Sequence, residues 1–455
     1  MLNIIICEQV ICVIFASQFN TLYMKFEKPP VDETFDIKIV KLIIDEQYKD
    51  FLQTVESRYL YWDEVKNRKD LPFDPAKSWR LIKTSRALNS KSVNIGAYVF
   101  KYYLTYQIQK DLHEFDLKMI GGLYQNPITD FEKAEYIKNS LMEEAIASSQ
   151  IEGAATTTKI AWDMLKSGRN PRNESEQMIF NNLRAIRYIE ENQNKNIDKA
   201  FIIELHKIMT VKTTAEDCGG DYRKGEIFVQ DHVDGEIAHI PPDWNELGSL
   251  MDSLCSFANS DKEFMHPIIK ASMIHFFIGY IHPFKDGNGR TARALFYWYL
   301  LKKGYTLIKN ISISRAILSS RIQYDKAFLK TEYDQNDLNY FITYSIKSLR
   351  VAFENLVRYR DKKKADKEQA SVIAYRLIEK GMSKRQADLL GYLYSKESAA
   401  VSLQQYAIKH DIVRQTARKD LSHLVKLNLL IEEKKGKSIV FRVKSKSDVE
   451  KFLDK

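Results

Sequence analysis

The sequence predicts a mainly α-helical protein of several domains, and three observations carry that prediction. Apolar residues recur at helical spacing over most of the 455 positions. An Asp-Gly pair between two short β-prone runs signals a hairpin near residue 235. After residue 369 the pattern changes to three short helices followed by two short strands. We therefore expect an all-helical core with a β-hairpin, a helical N-terminal extension and a separate C-terminal domain.

Composition places the chain among globular proteins, because 44% of its residues are hydrophobic and its length allows two to four domains. The four cysteines, Cys7, Cys12, Cys218 and Cys255, have neither a metal-ligand spacing nor a disulfide pattern. This usage predicts a reducing, cytoplasmic setting.

The net charge of +9 belongs to one part of the chain. Residues 361–455 contain 22 Lys and Arg against 13 Asp and Glu, an excess that equals the whole net charge. The first 360 residues are therefore neutral. This asymmetry predicts two functions on one chain, with a nucleic acid or an acidic protein as partner of the C-terminal part.

The first 23 residues are apolar, which raises the question of export. They lack a positively charged start, and Glu8 and Gln9 interrupt the apolar run. A signal peptide or spanning helix is thus a poor fit. We expect translation to begin at Met24 and no membrane partner, with a membrane anchor as the alternative.

Residues 24–133 predict the N-terminal extension. The pattern is helical from Asp36 to about Lys69, and apolar periodicity returns from Tyr98 to Tyr124. The segment from Leu81 to Ser90 is largely polar and predicts a turn between helices.

The most informative stretch is His282 to Arg293, which reads HPFKDGNGRTAR. His282 can accept a proton near neutral pH, although a lone histidine is usually structural. Asp286 offers the oxygen ligands that Mg²⁺ prefers.

The glycines of this stretch occur before a predicted helix. Gly-Asn-Gly is common in ordinary turns, but Gly287 and Gly289 also permit positive φ. The N–H groups of Gly287, Asn288 and Gly289 can then point at an anion at the helix N-terminus. Arg290 and Arg293 lie at i and i+3, on one helix face, where they can bind phosphates.

This stretch resembles the Fic family signature HxFx(D/E)GNGRxxR, which it matches at every specified position. The resemblance implies transfer of AMP from ATP to a protein hydroxyl of Tyr, Thr or Ser. His282 would deprotonate the hydroxyl, Asp286 would hold Mg²⁺, and Arg290 and Arg293 would hold the outer phosphates. Phe284 would anchor the loop in the core.

A second motif lies in the predicted helix 134–153. Ser148 and Glu152 share a helix face, and Gly153 suits a C-terminal cap. The pattern is common by chance, yet upstream of the signature it resembles the family's inhibitory motif (S/T)xxxE(G/N). The resemblance implies a bidentate pair between Glu152 and Arg293, which would keep the γ-phosphate of ATP from that arginine.

The hairpin signal lies where Fic proteins have a flap, so the resemblance implies a hairpin that aligns a segment of the target by strand addition. The alternative is an ordinary surface hairpin. The expected docking residues are Ile227, Phe228, Val229, Ile237, Ala238 and His239.

The Fic-like core should span residues 134–350, with helices at 174–209, 244–259, 266–280 and 314–325. His239, His266 and His275 match no metal motif and are expected to be structural. Residues 351–370 predict a charged helical linker.

Residues 371–455 resemble a winged helix-turn-helix domain. Helices are expected at Ser383–Tyr394, Ser402–His410 and Arg414–Leu427, and strands at 429–431 and 439–443. DNA contacts would come from Arg414, Arg418 and Lys419 on the recognition helix and from Lys434, Lys435 and Lys437 in the wing. Protein contacts are the alternative, because such domains serve both.

Three hypotheses follow. The chain is a self-inhibited AMP transferase that acts on a target protein or on itself. Alternatively, the same site removes AMP, with Glu152 positioning water. The third hypothesis is a DNA-binding regulator whose core senses nucleotide, although the intact His282 favours the two enzymes. Self-association that controls Glu152 would be in keeping with the family.

Overall fold

The computed structural model describes residues 27–31, 36–118, 130–230, 235, 237–396, 399–435 and 438–454. The predicted leader and Lys437 lie outside these ranges. The chain divides into two compact units between Leu349 and Arg350. Within the described ranges, no helix is both long and apolar enough to cross a bilayer.

Among the described residues, the N-terminal part of the first unit contains five α-helices and a hairpin. The helices are α1 (Ile37–Ile43), α2 (Glu46–Arg58), α3 (Trp62–Val65), α4 (Pro75–Asn89) and α5 (Tyr106–Asp116), and strands β1 (Lys91–Ile95) and β2 (Tyr98–Tyr102) precede α5.

The turn predicted at Leu81–Ser90 is wrong, because this segment forms most of α4. Asp74 caps the helix by accepting from the Lys77 N–H, and Leu81 and Ile82 are fully buried. Arg86 makes the segment look polar, yet its guanidinium is buried against Glu56 at 3.0 Å.

The long helical stretch predicted from Tyr98 is also wrong at its start. Tyr98–Tyr102 is β2, which pairs antiparallel with β1. Phe100 and Tyr102 point inward while Val99 and Lys101 are exposed, the alternation of a strand with one buried face. Within the described part of this stretch, α5 is the α-helix, and residues 119–124 lie outside the described ranges.

The remainder of the first unit is a helical core. Its helices are α6 (Asp130–Ile151), α7 (Thr158–Ser167), α8 (Glu174–Glu191), α9 (Lys199–Thr210), α10 (Leu247–Asn259), α11 (Pro267–Ile281), α12 (Asn288–Lys302), α13 (Ile313–Ser319) and α14 (Arg321–Tyr333). The helices expected at 174–209, 244–259 and 266–280 are present. The segment expected to be helical at 314–325 is divided between α13 and α14 at Ser320.

Two helices at the centre of this core position the signature loop. α11 and α12 pack against each other, and nearly every residue of both is buried. Helices that are apolar all round belong in a core. The six residues 282–287 join them, so both ends of the loop are fixed by buried helices.

The hairpin is present but shorter than predicted. β3 (Val229–Gln230) pairs antiparallel with β4 (Ile237–His239), with Val229 opposite His239 and Gln230 opposite Ile237. Ile227 and Phe228 precede the strand rather than belong to it. The register shifts between Val229 and Gln230, and such an irregularity limits the length of the ladder.

The second unit has its own core, which includes Leu377, Leu390, Leu421 and Phe441. Helix α15 (Asn339–Glu379) begins in the first unit and continues into the second, where it is followed by α16 (Lys384–Ser395), α17 (Leu403–Lys409), α18 (Arg414–Lys426) and α19 (Lys446–Asp454). Strands β5 (Val401–Ser402), β6 (Leu430–Lys435) and β7 (Ser438–Val443) form an antiparallel sheet in the order β5-β7-β6. The sequence predicted α16 to α18 and both longer strands, but not β5 or α19.

Candidate active site

His282 ends α11 in the left-handed conformation, with φ of 50°. Its Nδ1 lies 3.1 Å from the Gly279 carbonyl oxygen. A carbonyl only accepts, so Nδ1 must carry the proton and Nε2 keeps a free lone pair. Burial lowers the pKa of His282 to about 4, although the bond to Gly279 opposes this. The ring is therefore neutral at pH 7 and ready to accept a proton.

Arg223 fixes the loop through backbone contacts that the sequence did not reveal. Its N–H donates to the Pro283 oxygen at 2.9 Å, and its Nε donates to the His282 oxygen at 3.0 Å. Its other guanidinium nitrogens donate to the carbonyls of Gly225 and Pro242. Arg223 thus ties the loop to the segments that flank the hairpin.

His206 of α9 is a second residue that the sequence analysis missed. Its ring stacks on Phe284 with centroids 3.7 Å apart, and Phe284 is fully buried, as expected for an anchor. The Gly220 N–H donates to Nδ1 at 2.9 Å. Nε2 therefore carries the proton and donates to the backbone carbonyl oxygen of Asp286 at 2.8 Å. Burial lowers the pKa of His206, which favours this neutral tautomer.

The three residues predicted to bind an anion begin α12. Gly287 has φ of 81° and is the N-cap, in line with its glycine. The expectation of positive φ for Gly289 is wrong, because Gly289 lies inside the helix. The Asn288 side chain holds the loop itself, accepting from the Phe284 N–H at 2.9 Å and donating to the Phe284 oxygen at 2.8 Å.

Asp286 and Arg290 contact each other at the start of α12. The Asp286 carboxylate is 53% exposed and accepts from Arg290 Nη2 at 2.9 Å. Arg290 is buried, and its Nη1 donates to the Met209 oxygen at 3.1 Å. Among the described residues, its Nε has no hydrogen-bond partner. The Asp286 carboxylate is thus accessible from solvent, while the Arg290 guanidinium is buried and held by the Met209 carbonyl.

Arg293 lies beside the end of α6, as the sequence predicted. Its Nη2 lies 3.0 Å from Glu152 Oε1 and 2.8 Å from the backbone carbonyl oxygen of Ser148. Its Nε donates to the Ser148 hydroxyl oxygen at 2.9 Å. The predicted bidentate pair is wrong, because Ser148 takes Nε and Glu152 receives a single bond. Nη1 is buried and has no hydrogen-bond partner in the part of the chain that the structure describes.

Glu152 follows the last residue of α6, and Gly153 continues the turn with φ of 91°. Burial alone would raise the pKa of Glu152, but Arg293, then Arg321 and Arg290, more than offset it and hold the pKa below its usual range. The carboxylate is therefore ionised at neutral pH. A Cβ on Gly289 would collide with this carboxylate, so the glycine leaves room for it.

The hairpin residues divide by exposure. Phe228 and Ile237 are exposed, whereas His239 is buried. The His239 ring lies 2.6 Å from Glu332 Oε2 through Nδ1 and 2.7 Å from the Tyr280 oxygen through Nε2. His239 therefore holds the hairpin against the end of α11 rather than facing a target peptide.

The other histidines have structural surroundings. His275 Nε2 lies 2.9 Å from the Tyr324 hydroxyl, and burial lowers the pKa of His275 to about 3. His266 caps α11 and pairs with Asp116 at 3.1 Å. In the part of the chain that the structure describes, no three His, Cys, Asp or Glu residues are grouped to hold a metal.

The residues proposed to contact nucleic acid lie on the outer face of α18. Arg414, Arg418 and Lys419 are exposed, while Ala417 and Leu421 of the same helix are fully buried. The basic side chains are thus free of the core of the second unit.

Part of the first unit's core is similar to known proteins. Residues 196–300 match the model of the Fic/DOC family. A protein adenylyltransferase Fic from Aedes aegypti is 31% identical over 178 residues, which cover 38% of this chain and 34% of the relative. Another from Nematostella vectensis is 28% identical and covers 43% of this chain and 46% of the relative. The chain thus spans between a third and half of the length of these relatives.

Fic-1 from C. elegans has a similar fold. The structure of a fragment of that protein matches with a TM-score of 0.51 at 14% identity, covering 72% of this chain and 88% of the fragment. At this identity the likeness concerns the fold alone. Residues 196–300 thus match the Fic/DOC family domain, and the likeness to Fic-1 concerns a mainly helical fold.

Proposed function

We propose that this chain is a self-inhibited adenylyltransferase, which moves AMP from ATP to a Tyr, Thr or Ser hydroxyl of a protein. The chain itself is one candidate target. The observation that carries the proposal is the contact between Glu152 and Arg293. Within the described residues, Nη1 of the buried Arg293 has no hydrogen-bond partner, and Nη2 is bound by the Glu152 carboxylate. Arg293 lies near the N-terminus of α12, where phosphate is favoured. These contacts support a phosphate-binding arginine that Glu152 occupies.

His282 acts as general base in this proposal. The target hydroxyl gives its proton to Nε2, and its oxygen forms a bond to the α-phosphorus of ATP. The bond from that phosphorus to the bridging oxygen breaks, and pyrophosphate leaves. A neutral ring with Nδ1–H held by Gly279 supports this role, since Nε2 is the atom free to accept.

The start of α12 stabilises the negative charge of the phosphates. The first N–H groups of a helix have no intrahelical partners, and the helix dipole favours anions there. Arg290 lies at the same end of the helix and has an unpartnered Nε. Arg293 adds a second guanidinium one turn further on, once Glu152 has left it.

Asp286 fits a site for Mg²⁺. A magnesium ion bound with a nucleotide takes one or two carboxylates and phosphate oxygens rather than a cage of protein ligands. One exposed carboxylate beside the phosphate-binding helix meets that requirement. When bound, the ion would neutralise phosphate charge. Asp286 itself would exchange its bond with Arg290 for the ion, leaving Arg290 to the phosphates.

Inhibition follows from the occupied arginine. While Glu152 holds Arg293, the γ-phosphate of ATP has no guanidinium to bind, and the α-phosphate is then misaligned with respect to His282. The depressed pKa of Glu152 means that this block persists through the neutral range and weakens only in acid.

The hairpin β3–β4 would dock the target. It is a two-stranded sheet, so the outer edge of each strand lacks a strand partner within the described residues. An extended segment of a target can add to such an edge. The exposed Phe228 and Ile237 would contact its side chains, whereas His239 would only support the hairpin.

Removal of AMP by the same site is the second candidate function. The Glu152 carboxylate lies near enough to His282 to raise its pKa slightly, and it is ionised. An ionised carboxylate beside the base can orient a water molecule toward a modified side chain.

The second unit would act as a winged helix-turn-helix domain that binds DNA. Three helices followed by the hairpin β6–β7, with basic residues exposed on α18, support this proposal. Protein binding by the same face is its alternative.

Labelled ATP separates these functions. The protein should incorporate label from the α-phosphate and none from the γ-phosphate, and His282→Ala should incorporate neither. Incorporation of γ-label would indicate a kinase instead. For the reverse activity, modified protein is purified and incubated with Mg²⁺ alone. Release of AMP that depends on Glu152 would favour removal over transfer.

A further inference from the structure

Arg321 connects the first turn of α14 to the end of α6. Its Nη1 donates to the carbonyl oxygen of Ile151, the last residue of α6. Its Nε lies 3.0 Å from both carboxylate oxygens of Asp325. The side chain is 31% exposed. The next residue after the carbonyl that Arg321 holds is Glu152.

The end of α6 has the features of a helix terminus that a cation stabilises. The last carbonyls of a helix lack intrahelical partners and carry partial negative charge. In this turn, the N–H groups of Glu152 and Ala154 both donate to Ser149, at 3.1 and 3.0 Å. Arg321 supplies a charged donor to a carbonyl at the same end. The peptide that carries Glu152 is therefore fixed from two sides.

Arg321 also acts on the Glu152 carboxylate through space. After Arg293, it is the next cation that holds the pKa of Glu152 down. It does so without the direct bond to the carboxylate that Arg293 makes. The contact with the backbone and the charge thus both favour Glu152 in its observed place.

We propose that Arg321 is a positioning residue for inhibition, holding the end of α6 so that Glu152 stays on Arg293. This inference rests on the proposed function. If Arg321 is released, the Glu152 turn moves away more often, and Arg293 becomes available to the γ-phosphate. Arg321 needs no contact with ATP for this effect.

The chain offers a matched control in Arg315. Arg315 lies on α13, is 29% exposed and also reaches α6, where its Nε donates to Glu143 at 3.1 Å. That contact is with a side chain more than two turns before Glu152. Arg315→Gln therefore removes an arginine that binds the same helix without touching its terminal carbonyl.

The test measures incorporation of label from the α-phosphate of ATP by Arg321→Gln, Arg315→Gln, Glu152→Gly and the double variant Arg321→Gln with Glu152→Gly. We expect Arg321→Gln to raise the rate roughly tenfold, the order expected for losing one hydrogen bond to a charged group. Arg315→Gln should match the wild type. The double variant should equal Glu152→Gly, because no inhibitory carboxylate remains to be positioned.

Two results would overturn the inference. One is an active Glu152→Gly variant beside an Arg321→Gln variant that incorporates no more label than Arg315→Gln. The other is equal hydrogen exchange of the amides of residues 152–154 in the two arginine variants, since a positioning role requires faster exchange in Arg321→Gln. If Glu152→Gly itself gains nothing while that exchange is faster, the proposed inhibition is wrong and the positioning of the turn stands.

Discussion

The proposed catalytic role of His282 depends on which of its ring nitrogens is free. Because Gly279 fixes the proton on Nδ1, Nε2 faces the acceptor chemistry and makes no contact with phosphate in this account. His282→Ala should therefore lower transfer by about 100-fold or more while nucleotide binding is kept. Transfer assays beside ATP titration by calorimetry check this. An equal loss of binding would indicate damage to the loop instead.

The pH dependence of transfer follows from the lowered pKa of His282. With a value of about 4, the ring stays unprotonated at pH 5 to 7.5. We expect kcat/KM of the Glu152→Gly variant to vary little over that range and to fall only as the pH approaches 4. A profile with a midpoint near 6.5, the ordinary value, would contradict the burial argument.

Acid should also destabilise the core. His282 and His275 have pKa values of about 4 and 3 in the folded chain, against about 6.5 when unfolded. Below pH 6.5 the unfolded state binds protons first, so stability falls as the pH drops toward 4. Urea unfolding at several pH values checks the direction, and constant stability between pH 6.5 and 4.5 would contradict it.

Asp286 should be required for magnesium dependence and not for folding. Its carboxylate is half exposed, so its pair with Arg290 adds little stability. We expect Asp286→Ala to melt near the wild-type temperature yet to lose transfer at every Mg²⁺ concentration. Full magnesium-stimulated transfer by this variant would remove the metal assignment.

The sequence predicted candidate residues that lie in a local motif. It missed residues whose side chains hydrogen-bond to backbone carbonyls of distant residues. His282, Asp286 and Arg293 lie in one signature. Arg223, by contrast, contacts backbone carbonyls 2 to 60 positions away, and His206 contacts a backbone carbonyl 80 positions away. No local pattern reports such contacts, because they exist only after the helices have packed.

Among the elements, the helices with a regular apolar face were predictable and those with buried charge were not. The polar composition of Leu81–Ser90 predicts a turn. The sequence does not show that Arg86 is buried with hydrogen-bond partners of its own, including the Tyr340 hydroxyl at 2.7 Å. The sequence does not reveal the β1–β2 hairpin, because the aromatic residues of β2 and the apolar residues of α5 together also fit helical spacing. In both cases tertiary packing overrode the local pattern.

The loop between α11 and α12 depends on its support by α9. His206→Leu removes the ring that accepts from the Gly220 N–H and donates to the backbone carbonyl of Asp286. The Gly220 N–H and the Asp286 carbonyl then lose this partner. We expect a loss of about 1 to 3 kcal/mol in the free energy of unfolding, together with slower transfer. Denaturant unfolding and transfer assays test this. Wild-type values in both would show that the loop stands without His206.

At the scale of the whole chain, the net charge differs between the N-terminal and C-terminal parts. The net charge of +9 arises after residue 360, and α18 exposes Arg414, Arg418 and Lys419. Deleting 361–455 should leave the catalytic core folded and remove salt-sensitive DNA binding. Retention on DNA at low and high salt, by full-length and shortened protein, checks this. No retention of the full-length protein would favour protein binding by this unit.

The central claim is that Glu152 limits transfer by occupying Arg293. The direct measurement is the rate of label incorporation from the α-phosphate of ATP by wild type, Glu152→Gly, Arg293→Ala and the double variant, with melting temperatures beside it. We expect a clear rise for Glu152→Gly, most visible as self-modification, and no activity in either variant that lacks Arg293. Unchanged or reduced incorporation by a well-folded Glu152→Gly protein would contradict it.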